Sequence, residues 1–162
     1  MRMSCTVPVP TVASCPSTEP ATAMIGLDTN VLARYIVAEQ AADPATEAQR
    51  QAARQRVESG QPLFLPKTVA LELEWVLWGY YGFTPVQVQA VFSVLLALPG
   101  LSLEDRPAIE QALSCLAAGH DFADARHHAS CRTSQTIASF DDRGFPRRIR
   151  QLNLPPRVVV PR

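Results

Sequence analysis

Acidic side chains in this sequence occupy positions where a carboxylate needs a partner. Asp28 directly follows the short apolar run 24–27, and Asp141 follows the apolar run 136–140. If both runs are parallel strands, their carboxyl ends share one edge of the sheet, where open α/β sheets bind ligands. Taken alone, an Asp after a strand is more often the N-cap of the next helix. The coincidence of several acids is what favours a site.

Two other acids lie within helical patterns. Glu72 has mostly apolar residues three and four positions away, which argues against a solvated surface charge. Glu74 is surrounded in the same way, so periodicity does not choose between these two glutamates. Asp121 and Asp124 are three residues apart and share one helix face. The helix dipole alone would also favour both of them near a helix N-terminus.

Convergence of these acids would have a chemical consequence. Like charges within a few ångströms raise one another's pKa, and a bound divalent cation relieves the repulsion. The donors are all oxygens, and no His or Cys residues show metal-ligand spacing, so the pattern favours Mg²⁺ or Mn²⁺ over Zn²⁺. Such ions activate water and neutralise charge in phosphoryl transfer. The acids therefore predict a metal-dependent phosphoryl-transfer enzyme.

Strands and helices must alternate to position these acids, and the periodicity and breaker residues indicate that they do. Apolar runs predict strands at 24–28, 62–65, 101–103, 136–140 and 157–160. Helical patterns, the last of them a short helix or turn, lie at 30–38, 45–59, 67–82, 84–98, 106–118, 121–132 and 145–154. We expect Asn30 to cap the first helix. The alternation predicts an α/β fold with a parallel sheet.

The composition fits one domain without a membrane span. The chain has 162 residues, 47% of them hydrophobic, and a net charge of zero. No run approaches the ~18 apolar residues of a transmembrane helix. Segment 1–23 has Pro or polar residues every few positions and no apolar signal-peptide stretch, so we expect it to be disordered. Cys115 and Cys131 fit core positions rather than disulfides, which favours a reducing, cytoplasmic location.

This chain resembles the PIN-domain ribonucleases in four stretches, which occur in the family's order: LDTNVLARY (27–35), VALELEWVL (69–77), DFADARHHAS (121–130) and IASFDDRGFPR (137–147). It is most similar to VapC toxins of bacterial toxin–antitoxin pairs. The resemblance implies a single PIN-like α/β/α sandwich with a parallel sheet at 24–162. It also implies a Mg²⁺- or Mn²⁺-dependent homodimer that cuts RNA, such as tRNA or rRNA, and that a cognate antitoxin silences.

The family's acids match four residues of this chain: Asp28, Glu72, Asp124 and Asp141. The resemblance thereby selects Glu72 over Glu74. It implies that the three aspartates hold the ion, while Glu72 completes the shell or orients the attacking water. Thr29, Asn30 and Asp121 are expected to support the acids.

Basic residues concentrate after the last acid. From residue 125 to residue 162 there are eight arginines against two acids. Arg143, Arg147 and Arg148 are placed to contact an RNA backbone, because guanidinium groups fork onto phosphate oxygens. A GC-rich genome explains the arginine content equally well.

Other readings compete with the nuclease. Arg126 and His128 depart from the family's third motif; they would either alter substrate contacts or solvate a helix face. A haloacid-dehalogenase-type phosphatase needs an Asp where Asn30 stands, and a receiver domain needs a late lysine, whereas only Lys67 is present. A housekeeping RNA-processing nuclease and a non-catalytic PIN-like binding module remain open alternatives.

Overall fold

The computed structural model describes residues 24–37, 43–141 and 143–161, and within them short strands alternate with helices. The strands are β1 (Ile25–Gly26), β2 (Leu63–Leu65), β3 (Leu101–Leu103), β4 (Thr136–Ala138) and β5 (Arg157–Val159). The α-helices are α1 (Thr29–Ile36), α2 (Pro44–Val57), α3 (Lys67–Trp75), α4 (Pro85–Ala97), α5 (Arg106–Ala117), α6 (Phe122–Ser130) and α7 (Phe145–Leu152). The expected disordered segment 1–23 lies outside the described residues. The α/β class is confirmed.

All strand pairs of the described chain are parallel, as the alternation predicts. One sheet has the order β1-β2-β3, and β4 pairs with β5 in a second sheet. No ladder joins β1 to β4 within the described ranges. These small parallel sheets with their helices are compatible with an α/β/α arrangement. Strand pairing alone does not bring the ends of β1 and β4 to one edge.

The core lies between the three-stranded sheet and the helices. Leu63 and Leu65 of the central strand β2 are 1% and 0% exposed. Phe92 of α4 packs against Phe122 at the start of α6, with ring centroids 5.4 Å apart. Burial of such side chains stabilises the fold by roughly 1.5–3 kcal/mol each. Because α3 contacts both α1 and α6, this core fixes the three helices that carry candidate acids.

The helix starts follow capping rules, with one correction to the sequence analysis. Asp43 caps α2 through its side chain, and Thr84 forms a capping box with Gln87 at the start of α4. Helix α1, however, begins at Thr29, so Asp28 and not Asn30 occupies its N-cap position. The expectation for Asn30 was wrong because the strand ends sooner, at Gly26, which lets the helix cap lie two residues earlier.

The helix expected at 67–82 changes its geometry midway. After Trp75, the segment Val76–Tyr80 is π-helical, and the N–H of Tyr81 donates to the carbonyl of Val76 at 3.1 Å. The Trp75 ring lies over Gly79, where an added Cβ would meet it at 3.7 Å. Such π-helical turns frequently occur at functional sites.

Candidate functional site

Asp28 stands at the N-cap of α1 but does not cap it. Its backbone is extended, with φ −100° and ψ 159°, and its side chain makes no capping hydrogen bond. Asp43 and Asp121, by contrast, accept backbone N–H groups at the starts of α2 and α6. The exposed Asp28 carboxylate, lying near the positive end of a helix dipole, is therefore available to a ligand.

Glu72 is brought to Asp28 through Thr29. The buried Thr29 hydroxyl donates to Oε2 of Glu72 at 2.6 Å, across the contact between α1 and α3. Asp28 and Glu72 line one cleft of about 440 Å³, which we name the Asp28 cleft. Its other lining residues are Thr29, Asn30, Ala33, Arg34, Val76, Tyr80 and Tyr81. Of the three supporting residues expected from the sequence, Thr29 and Asn30 thus line the same cleft as these two acids, and Asp121 does not.

Glu74 faces elsewhere, although periodicity could not distinguish it from Glu72. Residues two apart on a helix point roughly 200° apart around its axis. Glu74 is half-buried, and its burial, followed by the charge of Asp121 on α6, raises the pKa of Glu74 above its usual value. The geometry therefore separates the two glutamates, with Glu72 on the α1 side of α3 and Glu74 near the start of α6.

Asp124 is paired with an arginine. Its carboxylate accepts a hydrogen bond from Nε of Arg148 on α7, and its side chain is only 19% exposed. The carboxylate of Asp121 caps α6 by accepting the backbone N–H of Asp124 at 2.8 Å. The bond to Asp124, together with the charges of Asp124, Asp121 and Asp141, raises the pKa of the Arg148 guanidinium. Asp121 is thus a helix cap as well as a neighbour of Asp124.

Asp141 is held by backbone N–H groups of the turn before α7. The N–H groups of Arg143, Gly144 and Phe145 donate to its carboxylate at 3.1, 2.7 and 2.8 Å. The bond from Gly144, followed in strength by those from Phe145 and Arg143, holds the pKa of Asp141 below its usual value. A Cβ on Gly144 would collide with this carboxylate, so a larger residue there would displace the Asp141 side chain or the turn.

The four acids therefore fall into two groups. One is the Asp28 cleft with Glu72, and the other, which we name the Arg148 group, contains Asp121, Asp124, Asp141 and Arg148. In the described ranges 24–37, 43–141 and 143–161, no three His, Cys, Asp or Glu side chains come together as ligands of one metal ion. Mg²⁺ commonly binds through one or two carboxylates and keeps several waters. The donor set of Asp28 and Glu72 fits that requirement.

Two departures from the family's third motif are structural. Arg126 is 4% exposed and forms an ion pair with Asp105 at 3.6 Å, so it neither solvates a helix face nor meets a groove. His128 is fully buried, and its Nε2 lies 2.9 Å from the carbonyl oxygen of Pro156. Both residues fix α6 within the fold, which the pattern of apolar positions did not reveal.

The arginine candidates differ in their surroundings. Arg147 and Arg148 are adjacent on α7 and both exposed, but an ion pair to Asp124 forms only with Arg148 of these two. Arg143 is exposed in the turn held by Asp141. Sequence reasoning missed two other arginines, Arg34 and Arg56, which line a groove of about 640 Å³ between α1 and α2.

Comparison of the chain with protein-family models, curated proteins and solved structures gave no match. The resemblance to PIN-domain ribonucleases therefore stands on the four sequence stretches. Among the described helices, none combines the length and apolar character needed to cross a bilayer.

Proposed function

We propose that this chain is a metal-dependent endoribonuclease of the PIN type. One observation carries the proposal: Asp28 leaves its own helix uncapped and shares a cleft with Glu72, which Thr29 orients. Both carboxylates line the same cleft, so an ion bound there would meet oxygen donors of both residues. The pair is what a Mg²⁺ or Mn²⁺ site requires from the protein.

The residues of the chain have separate roles in this proposal. Asp28 and Glu72 would hold the ion, and the Thr29 hydroxyl keeps Glu72 turned toward it. A bound divalent ion supplies water activation and charge neutralisation at the scissile phosphate. Asp124 and Asp141 lie with Arg148, whose cation offsets their charge. Arg143 and Arg147 are exposed on the same segment and would contact an RNA backbone, whose binding would depend on salt.

The proposal extends to biological context through the sequence resemblance. We infer a VapC-type toxin that acts as a homodimer on tRNA or rRNA and is silenced by a cognate antitoxin. The four motif stretches support this inference, since they follow the order of the toxin family.

A second candidate is a non-catalytic PIN-like binding module. It is favoured by the ion pair of Asp124 with Arg148, which engages one of the four motif acids inside the protein. In that case the Asp28 cleft would bind no ion, and exchange of its carboxylates would leave every activity of the chain unchanged.

The test is cleavage of a mixed RNA pool in Mg²⁺ or Mn²⁺ by wild type and by Asp28→Asn. Even changes to residues that only support metal ligands cost about 10–100-fold, so we expect Asp28→Asn to lower the rate by more than about 100-fold. Asp43→Asn is the matched control, because Asn caps a helix as well as Asp does. Equal cleavage by wild type and Asp28→Asn would refute the mechanism. An inactive wild type would favour the binding module.

A further inference from the structure

Two tyrosines belong to the same cleft as the candidate acids. Tyr80 and Tyr81 line the Asp28 cleft together with Asp28 and Glu72. Their rings stand edge to face with centroids 4.8 Å apart, and Tyr81 also packs against Phe83 at 6.4 Å. Tyr81 is thereby anchored, whereas Tyr80 remains 77% exposed. A solvated aromatic ring fixed at its edge offers a flat surface to a ligand.

The π-helical segment is what places these rings. It ends at Tyr80, and the widened turn lets Leu77 stay fully buried while Tyr80 points outward. The N–H of Phe83 donates to the carbonyl of Leu77 at 2.9 Å, which closes the segment. A cleft wall built by a π-helical turn is consistent with a binding role.

Polar side chains also line the Asp28 cleft. Asn30 offers an amide donor and acceptor, and Arg34 offers a guanidinium whose Nε donates to Gln49 at 3.1 Å. Asn30 and Arg34 also line the groove between α1 and α2, which contains Arg56, so this groove adjoins the cleft. The volume of the Asp28 cleft, about 440 Å³, falls within the ~300–1,000 Å³ of small-ligand sites.

We propose that Tyr80 and Tyr81 form a stacking subsite for one unpaired nucleobase, next to the phosphate that Asp28 and Glu72 would address. This inference rests on the proposed nuclease function and names its substrate class as single-stranded RNA. Aromatic rings bind bases without regard to sequence because every base has a π-face. Bases are accessible to such rings only where the RNA is unpaired.

An apolar protein partner fits this cleft less well. Trp75 and Trp78 are 62% and 60% exposed on the same helix and could contact a second chain. The tyrosines, however, share their cleft with two carboxylates, and the buried centres of protein interfaces are depleted in charge. Burying Asp28 and Glu72 under an apolar surface would cost their hydration. A nucleotide presents polar edges that leave these carboxylates hydrated, and a cation held by them would offset the charge of its phosphate.

The experiment measures binding without cleavage. Labelled single-stranded RNA oligonucleotides of each base are titrated in EDTA with protein carrying Asp28→Asn, and affinity is read by fluorescence anisotropy. We expect Tyr80→Leu to weaken binding about tenfold, as loss of one stacking ring does. Tyr80→Phe keeps the ring and should stay within about twofold of the parent affinity. Trp75→Leu, which removes a 62% exposed ring outside the cleft, should have no effect on RNA affinity.

The outcomes separate this inference from the proposed function. Binding that depends on Tyr80, in a protein whose wild type does not cut RNA, would uphold the subsite and refute the nuclease. Cleavage by wild type together with unchanged RNA affinity of Tyr80→Leu would refute the subsite alone. Absence of binding, or equal loss of affinity for duplex RNA, would also overturn it. A change of oligomeric state by Tyr80→Leu without a change of RNA affinity would assign the tyrosines to a protein interface.

Discussion

The Asp28 cleft and the Arg148 group are built from the same residue types but are satisfied in different ways. In the cleft, Glu72 has one hydrogen bond from Thr29, and Asp28 has no side-chain bond to its helix. In the Arg148 group, Asp124 is paired with an arginine, and Asp141 accepts three backbone N–H groups. Bonds within the protein engage both of these carboxylates, whereas the carboxylate of Asp28 makes no capping bond.

This difference shows that an acid at the end of a strand does not by itself indicate a metal ligand. Asp28 and Asp141 both follow parallel strands, yet Asp141 organises the turn before α7. The hydrogen bonds of this turn explain why an acid stands at position 141, whereas no capping bond explains the acid at position 28. We therefore propose Asp28 and Glu72, rather than Asp124 and Asp141, as the residues that would bind the ion.

Removing the hydrogen bond that supports Glu72 should lower the affinity of the Asp28 cleft for a metal ion and leave the Arg148 group unchanged. Thr29→Val deletes the hydroxyl that donates to Glu72 at 2.6 Å. Loss of such a supporting bond lowers metal affinity by about 10–100-fold. Calorimetric titration with Mn²⁺ measures the effect, and Thr68→Val on the exposed face of α3 is the control. If both variants bind Mn²⁺ like wild type, Thr29 does not position the site.

Disturbing the Asp141 turn should affect stability more than chemistry. Gly144→Ala would place a Cβ against the Asp141 carboxylate and force the turn to move. Displacing the carboxylate would weaken its three backbone hydrogen bonds, so we expect a loss of about 0.5–3 kcal/mol of unfolding free energy, measured in urea. Gly26→Ala serves as the control, because nothing lies within 4 Å of its added Cβ. Equal stability of Gly144→Ala and wild type would show that the turn adapts freely.

Removing the internal cation should have the smallest effect on folding. Arg148→Gln breaks a pair in which the arginine side chain is 52% exposed, and solvent screens such pairs, so we expect only a small drop in the unfolding free energy. Arg147→Gln, one residue earlier on the same exposed stretch of α7, should leave the unfolding free energy unchanged. The difference between the two variants should shrink in high salt. A difference that persists there would mean that Arg148 acts through packing.

Much of the fold was predictable from local signals. Every observed strand lies within a predicted apolar run, and Thr84-Pro85 marked the start of α4 because a capping box and an N1 proline act locally. The cap of α1 was assigned to Asn30 because Asp and Asn satisfy the same rule and only the strand's end decides between them. The division of the strands into two sheets depends on pairing between distant segments, which periodicity does not specify.

The sequence motifs named the residues of the candidate site but did not specify how they are grouped. The motifs selected Glu72 over Glu74, and the Thr29 bond places Glu72 in the cleft. The pairing of Asp124 with Arg148 spans 24 residues of sequence and leaves no local trace. The sequence pattern did not place Tyr80 and Tyr81 beside the candidate acids, because the π-helical turn that precedes Tyr81 follows no periodic pattern.

The most direct test of the central claim is calorimetric Mn²⁺ binding by the Asp28→Asn, Glu72→Gln double variant. We expect wild type to bind Mn²⁺ and the double variant to lose more than about 100-fold in Mn²⁺ affinity, since both proposed ligands are gone. Glu74→Gln, on the other side of α3, should bind Mn²⁺ like wild type. Undiminished Mn²⁺ binding by the double variant, or no binding by wild type, would contradict the assignment of the Asp28 cleft as the metal site.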